Sequence, residues 1–333
     1  MLEIDGSHGE GGGAIVRLSV AFSAFTGKSC QIERIRAGRK NPGLQRQHVA
    51  AVDAVAKLCN AKVKGNYPGS ASLLFTPGEL KSTSIDIDVG SAGSIALVLQ
   101  AIMIPAMKCK TLLKIKGGTV NKWAPSVGYI QNVTIPILKK FGYAGNITII
   151  KHGFYPQGGG LVEGTLEPCS LKKINIIERG RLLQAYGTAL ASTSLANAKV
   201  AERMKQHAEE ILEAYTPTIK AEYCDSSSPG GGIDIYAEYE NSFIGTCAVA
   251  ERKRNAENLA KEACEEFIRA HENPAGMDKH MADQILPYIA IAGGNVSVPS
   301  VTPHCQSNIY VIEKFTGKKI ACREEKGMLL FSA

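Results

Sequence analysis

Several kinds of chemistry are excluded by what this chain lacks. Its nine cysteines, at positions such as 30, 59, 109, 224 and 305, are scattered, odd in number and never paired as Cys-x-x-Cys. That argues against a structural zinc site and fits a reducing compartment. No stretch approaches the length of a membrane span, and the N-terminus, Met-Leu-Glu-Ile-Asp-Gly, has no basic segment leading into an apolar one. The sequence therefore reads as cytoplasmic, without membrane attachment. The glycine run Gly9 to Gly13 lacks the Gly-Lys-Ser/Thr of a P-loop and does not keep the Rossmann spacing, so neither of those phosphate cradles is expected. The stretch from Arg34 to Val52 carries no acidic residue, and its basic part, 34 to 48, has no aromatic one. The second absence argues against base stacking by that stretch.

What is present suits a soluble protein with a sizeable core. The 333 residues are 44% hydrophobic and 21% charged, and 38 Lys+Arg against 31 Asp+Glu leave a formal charge of +7. Two domains and an anionic partner follow from those figures. Internal similarity is the strongest organising signal. A short strand (Glu3 to Asp5), a glycine turn and an apolar helix (Ala14 to Phe25) recur as Ile85 to Val89, Gly90 to Ser94 and Ile95 to Met107. Each is followed by a β-rich run (31 to 35; 111 to 115), a second amphipathic helix (about 43 to 58; about 126 to 141) and two more strands (about 61 to 64 and 72 to 76; about 145 to 151 and 160 to 166). A third copy is split, with helices at Met277 to Ala292, interrupted by Pro287, and at His304 to Thr316, then strands near 318 to 323 and 328 to 332. Between lies a block with a strand, a long charged helix at Ala196 to Tyr215, strands near 217 to 224 and 232 to 239, and a helix at Asn255 to His271; Gly230 to Gly232 reads as a connecting loop. The expected fold is α/β (α+β), with residues 1–177 and 275–333 in a large repeat domain and 178–274 as an inserted small domain.

His304 is the most informative residue. Thr302 suits an N-cap, Pro303 the first helical position, and Ile309, Ile312 and Phe315 form an apolar stripe before Gly317. In a first turn the helix dipole disfavours imidazolium, keeping the ring neutral and nucleophilic, while free N–H groups favour an anion beside it. A polar cap or surface histidine has the same local pattern. Glu10 lies inside the glycine turn and can hold Mg²⁺; Arg17 is a charge in an otherwise apolar helix and needs a partner. Arg34, Arg36, Arg39, Lys40 and Arg46 can converge on phosphate oxygens, or simply form a solvated face. His280, Asp283 and Gln284 share one helix face, suited to ribose, metal or base, or to solvent. Gln100 is a polar residue in an apolar helix, and a satisfied core glutamine would look identical. Gly117 to Thr119 and Trp123 to Pro125 can wall the pocket or serve as turns.

Together these segments resemble the RNA 3′-terminal phosphate cyclase family. The matching pieces run nearly the whole chain in order: Asp5-Gly6 with Gly-Glu-Gly-Gly-Gly, Arg-Ala-Gly-Arg with Asn-Pro-Gly-Leu and Arg-Gln-His, Gly-Ser-Ala-Gly-Ser with Leu-Val-Leu-Gln, His152 to Gly160, Ala282-Asp283-Gln284, and His304 with Asn308. The resemblance implies three two-helix, four-stranded units with a small α/β insert in the third. It implies ATP-dependent conversion of an RNA 3′-phosphate to a 2′,3′-cyclic phosphodiester through adenylylated His304 and an RNA-adenylate, with release of pyrophosphate and AMP. It implies Glu10 as the metal-associated carboxylate for Mg²⁺ or Mn²⁺. Gln100, Met281, Ala282, Asp283 and Gln284 would hold ATP, with Pro125, Tyr129 and His280 framing adenine. Arg17, Arg36, Arg39, Gln47 and His48 would bind phosphates of ATP or RNA. The chain departs from relatives in having His280 where tyrosine occurs and Ser126 where a second proline occurs. Two other readings share parts of the pattern: a non-catalytic cyclase-like ribosome-assembly factor, which lacks the histidine, and an enolpyruvyl transferase, which stacks similar units. A lysine nucleotidyl transferase is disfavoured because Glu3-Ile4-Asp5-Gly6 has Glu where lysine is needed.

Overall fold

The computed structural model describes residues 1–333. The first unit is β1 (Leu2–Asp5), α1 (Gly13–Thr26), β2 (Cys30–Glu33), α2 (Arg46–Cys59), β3 (Lys62–Lys64) and β4 (Leu73–Thr76). The second is β5 (Thr83–Asp88), α3 (Ile95–Met103), β6 (Thr111–Gly117), a helical stretch made of α4 (Val127–Tyr129) and α5 (Ile135–Lys140) joined by a π turn, β7 (Ala144–Lys151) and β8 (Gly160–Glu167). The third opens with β9 (Ile174–Ile176) and is interrupted by β10 (Leu182–Ser192), α6 (Val200–Ile211), β11 (Thr218–Cys224), β12 (Gly231–Tyr239), β13 (Phe243–Val249) and α7 (Ala256–Glu272). It resumes with α8 (Met281–Ala292), β14 (Gly294–Val298), α9 (Pro303–Thr316), β15 (Ala321–Glu325) and β16 (Met328–Ser332).

All three units share one sheet plan. The orders are β1-β2-β4-β3, β5-β6-β8-β7 and β9-β14-β16-β15. In each the first two strands are parallel and the remaining pairings antiparallel. A parallel pair needs a crossover, which the first helix of each unit supplies. The helices pack inward: α1 touches α2, α3 and α9, and α8 lies against α9. Their apolar faces and those of the sheets make one core of 68 buried residues shared by all three units. The fourth sheet, β11-β10-β12-β13, is covered by α6 and α7 and has a core of its own, drawn from Ala185 to Phe267. Tyr236 and Phe243 of that sheet also reach the main core.

Some elements differ from their expected bounds. The helix from Ile95 ends at Met103, and 105–108 form a tighter 3-10 turn; Pro105 has no N–H to continue the α ladder. The helix expected from Met277 starts at Met281, because the Asp278 carboxylate accepts from the N–H of His280 and Met281 ahead of it. It is not interrupted at Pro287. Proline there leaves the Asp283 carbonyl without its helical donor, and Asn308 Nδ2 donates to that oxygen instead, at 3.0 Å. Lys199, at φ +50°, divides the expected 196–215 helix. Gly231 and Gly232 belong to β12 rather than to a loop. Strands β9, β13 and β14 were not legible; each is short or interrupted by Gly, Ser or Thr, which blurs alternation.

Candidate active site

Six helical starts converge on one cavity. Gly12 and Gly13 of α1, Gln45, Gln47 and His48 of α2, Leu97 of α3, Ser126 before α4, His280, Asp283 and Gln284 of α8, and Thr302 and His304 of α9 all line a space of about 680 Å³. Side chains cap α2, α3 and α4 and the Asp278 carboxylate serves α8, so the free N–H groups and partial positive charge that favour an anion lie at the uncapped starts of α1 and α9. The cavity's size suits a nucleotide. The glycine loop closes one side: Gly9 and Gly11 sit at φ +58° and +59°, a left-handed conformation open to glycine, and they turn Glu10 inward. Gly13 permits a close approach, since a Cβ there would fall 2.0 Å from His48 Nε2.

His304 stands on this wall. Its Nδ1 is buried against Glu10 Oε2 at 2.6 Å, yet the approach is out of line for a directed hydrogen bond. Its side chain stays 42% exposed, leaving Nε2 as the nitrogen a substrate can reach. Glu10 Oε1 pairs with Arg39. Burial lowers the His304 pKa below the ordinary imidazole value; Asp283 opposes this, while Arg17 and Arg39 add to it. The Thr302 hydroxyl does not cap α9 but donates to Asp283 Oδ1 at 3.3 Å, which leaves the helix start free for a ligand.

Among the arginines, His48 is held neutral. Burial, with Arg17 and Arg36 nearby, pushes His48 down to about 3, and its Nδ1 accepts from the Gln45 N–H at 3.0 Å. Burial lowers Arg17 to about 10, with Asp283 opposing, so it remains a cation at neutral pH. Arg36 Nη1 is anchored on the carbonyls of Asn41 and Gly43. Gln47 Oε1 accepts from the Ser94 N–H at 3.3 Å, tying the first unit to the second unit's turn.

Residues expected in the site fall into three groups. Glu10, Arg17, Arg36, Arg39, Gln47, His48, Gln100, Pro125, Tyr129, His280, Asp283, Gln284 and His304 all line the cavity. Met281 and Ala282 do not; both are fully buried in the core, on the inner side of α8. Gln284, although at the wall, is satisfied within the chain, donating to His280 O at 2.8 Å and accepting from Thr134 at 3.1 Å. Gln100 has no such partners and faces the cavity. Arg34 turns away to Asp5, at 2.5 Å. The His280 ring is held by Glu266 of α7, Nε2 to Oε1 at 2.7 Å, and meets the edge of Tyr129 at 6.1 Å between centroids. Burial lowers the His280 pKa, but the Glu266 hydrogen bond and the Asp278 and Glu266 charges outweigh it, for a net rise.

Sequence reasoning missed two carboxylates that build this wall. Asp278, 1% exposed, accepts from Tyr129 Oη and from the N–H groups of Gly245, His280 and Met281. The expected start at Met277 put it inside the helix rather than before it, which hid its capping role. Glu266 lies on the insert, where nothing in the sequence linked it to His280.

A cavity of this size, walled by arginines and by the uncapped starts of α1 and α9, has the charge and volume that suit a phosphorylated ligand. The sequence model of the family described as RTC, RNA 3′-terminal phosphate cyclase, matches residues 8–322. The RNA 3′-terminal phosphate cyclase of Methanosarcina barkeri is 39% identical over 332 residues, covering 98% of both chains. That of Pyrococcus furiosus is 43% identical over 323 residues, covering 96% of this chain and 94% of its own. That of Methanococcoides burtonii is 40% identical over 339 residues, covering 100% and 99%. The chain belongs to the RNA 3′-terminal phosphate cyclase family, and it is an enzyme of that family. The enolpyruvyl-transferase and assembly-factor readings are thereby set aside.

Proposed function

We propose that this chain converts an RNA 3′-terminal phosphate into a 2′,3′-cyclic phosphodiester at the expense of ATP, through a His304–AMP intermediate. The observation that carries this reading is the neutral His304 ring, with Nε2 open, at a helix start beside Glu10, Arg17 and Arg39. Nε2 attacks the α-phosphorus of ATP; a P–N bond forms, the α–β phosphoanhydride breaks, and pyrophosphate leaves. An oxygen of the RNA 3′-phosphate then attacks the same phosphorus and breaks the P–N bond, giving an RNA-adenylate. The vicinal 2′-OH attacks the 3′-phosphorus, loses its proton and displaces AMP. Adenylylation makes a phosphate oxygen a good leaving group, and the neighbouring hydroxyl acts at high effective molarity.

Arg17, Arg36 and Arg39, with Gln47 and His48, receive phosphates of ATP or RNA. Gln100 and Asp283 hold the nucleotide, Gln284 braces that wall, and Pro125, Tyr129 and His280 frame adenine. The chain has no cluster of three metal-ligating side chains, but Mg²⁺ is commonly held by one or two carboxylates together with substrate phosphates. Glu10, whose Oε1 pairs with Arg39 and whose Oε2 faces His304, would take that role for Mg²⁺ or Mn²⁺ by giving up the Arg39 pairing, and the ion would neutralise charge developing on the phosphates. We further propose that 178–274 folds as an inserted domain on the 1–177 and 275–333 body, and that the protein works in the reducing cytoplasm, a reading supported by its nine free thiols. No helix is long and apolar enough to cross a membrane.

The test uses 3′-phosphorylated RNA, ATP and Mg²⁺. A cyclic end forms on RNA with a terminal 2′-OH and not on the 2′-deoxy analogue, and His304→Ala forms none. Cyclisation by His304→Ala at the unaltered rate contradicts the proposal.

A further inference from the structure

Trp123, the single tryptophan of the chain, is used neither by the core nor by the chemistry above. It is 89% exposed and sits at φ +69°, a left-handed conformation unfavourable for a bulky residue. Its flanks hold it there. Asn121 Nδ2 donates to Ala92 O at 2.6 Å, Lys122 Nζ pairs with Glu251 at 2.7 Å, and Ser126 Oγ donates to Asp234 at 3.1 Å. These contacts hold the loop so that the indole lies at the rim of the cavity that His304 lines. It donates no hydrogen bond within the chain and stacks on no other ring; the Lys122 ammonium lies 5.1 Å from its centroid. Past the Lys122–Glu251 pair come Arg252, Lys253 and Arg254, all exposed. Arg254 reaches the cavity wall and pairs with Glu262, while Arg252 and Lys253 form no ion pair.

We propose that Trp123 is a stacking platform for a nucleobase at the RNA 3′ end, with Lys122 and the 252–254 cations receiving the phosphates that precede it. This presupposes an RNA end as substrate. Every base has a π face, so such a platform grips single strands without reading sequence, and adjacent cations track the backbone. The arginines at 36 and 39 have no aromatic among them, so they hold the terminal phosphate while stacking occurs at the rim. Adenine of ATP is the other possible source of a base. The rim position favours the strand: Tyr129 in the adenine wall is 2% exposed, against 89% for Trp123.

A single tryptophan gives a direct readout in the full chain. Titration with 3′-phosphorylated RNA is expected to quench its fluorescence, whereas ATP changes it little. Removing the terminal or the penultimate base in turn abolishes quenching for one of the two RNAs. Trp123→Ala raises the KM for RNA roughly 5- to 100-fold and leaves the ATP requirement for protein adenylylation within about twofold, and Trp123→Phe restores most of the loss. Quenching by ATP, a raised ATP requirement with an unchanged RNA KM, or RNA binding without quenching each overturns the platform. RNA-induced quenching in a wild-type chain that forms no cyclic end supports the platform while sinking the cyclase reading.

Discussion

At the scale of single residues, the proposed chemistry needs the His304 imidazole uncharged beside cations. Burial takes His304 below its ordinary value, and Arg17 and Arg39 push in the same direction against Asp283. A histidine whose pKa is depressed stays a nucleophile at pH values where a free one would be protonated. The acid limb of the adenylylation rate is therefore expected below the ordinary value of 6.5, and Arg39→Ala moves that limb upward. A limb at or above 6.5 in the wild type contradicts this assignment, and a pH–rate profile of AMP transfer from ATP to the protein reads it. The same surroundings explain why Arg17 looked anomalous in sequence: a guanidinium in an apolar helix is costly unless something meets it, and what meets it here is the cavity with Asp283.

At the scale of elements, α8 and α9 are joined by a substitution of donors. Pro287 lacks the N–H that would bond the Asp283 carbonyl, and the side chain of Asn308 provides one. Asn308→Ala leaves that carbonyl without its partner in a largely buried site, at a cost of about 1–3 kcal/mol. Restoring an N–H with Pro287→Ala in the Asn308→Ala background should recover part of the loss, while Pro287→Ala alone gains little, because its carbonyl is already served. Denaturant midpoints of the four proteins check this; additive effects contradict it. Proline inside the pattern suggested a break because the sequence shows the missing donor but not the asparagine twenty-one positions on. The first two units were legible because glycine turns and apolar helices repeat in step. The third was harder: its opening strand, β9, is only three residues long and is separated from α8 by the insert.

At the scale of the whole molecule, three copies of one unit bring helix starts to one chamber, and the 178–274 block is tied to its wall through Glu266, Asp234 and Gly245. That Arg17, Arg36 and Arg39 gather at one cavity was legible because arginines have few other uses in such runs; the bracing by Asp278 and Glu266 was not, because it depends on long-range packing. The fold should be acid-sensitive. His48 and His152 are lowered by burial to about 3 and about 4, so below pH 6.5 the unfolded chain takes up protons that the folded chain refuses. Stability then falls as pH drops from about 6.5 toward 4, by on the order of 1.4 kcal/mol per unit for each group. His152→Gln should flatten that slope in thermal melts, and an unchanged slope contradicts the cause given. The central claim is tested most directly by mapping AMP on the protein after brief exposure to ATP and Mg²⁺ without RNA. One AMP on His304, released by acid and lost in His304→Ala, is the predicted result; AMP on a lysine or on another histidine, or none at all, contradicts it.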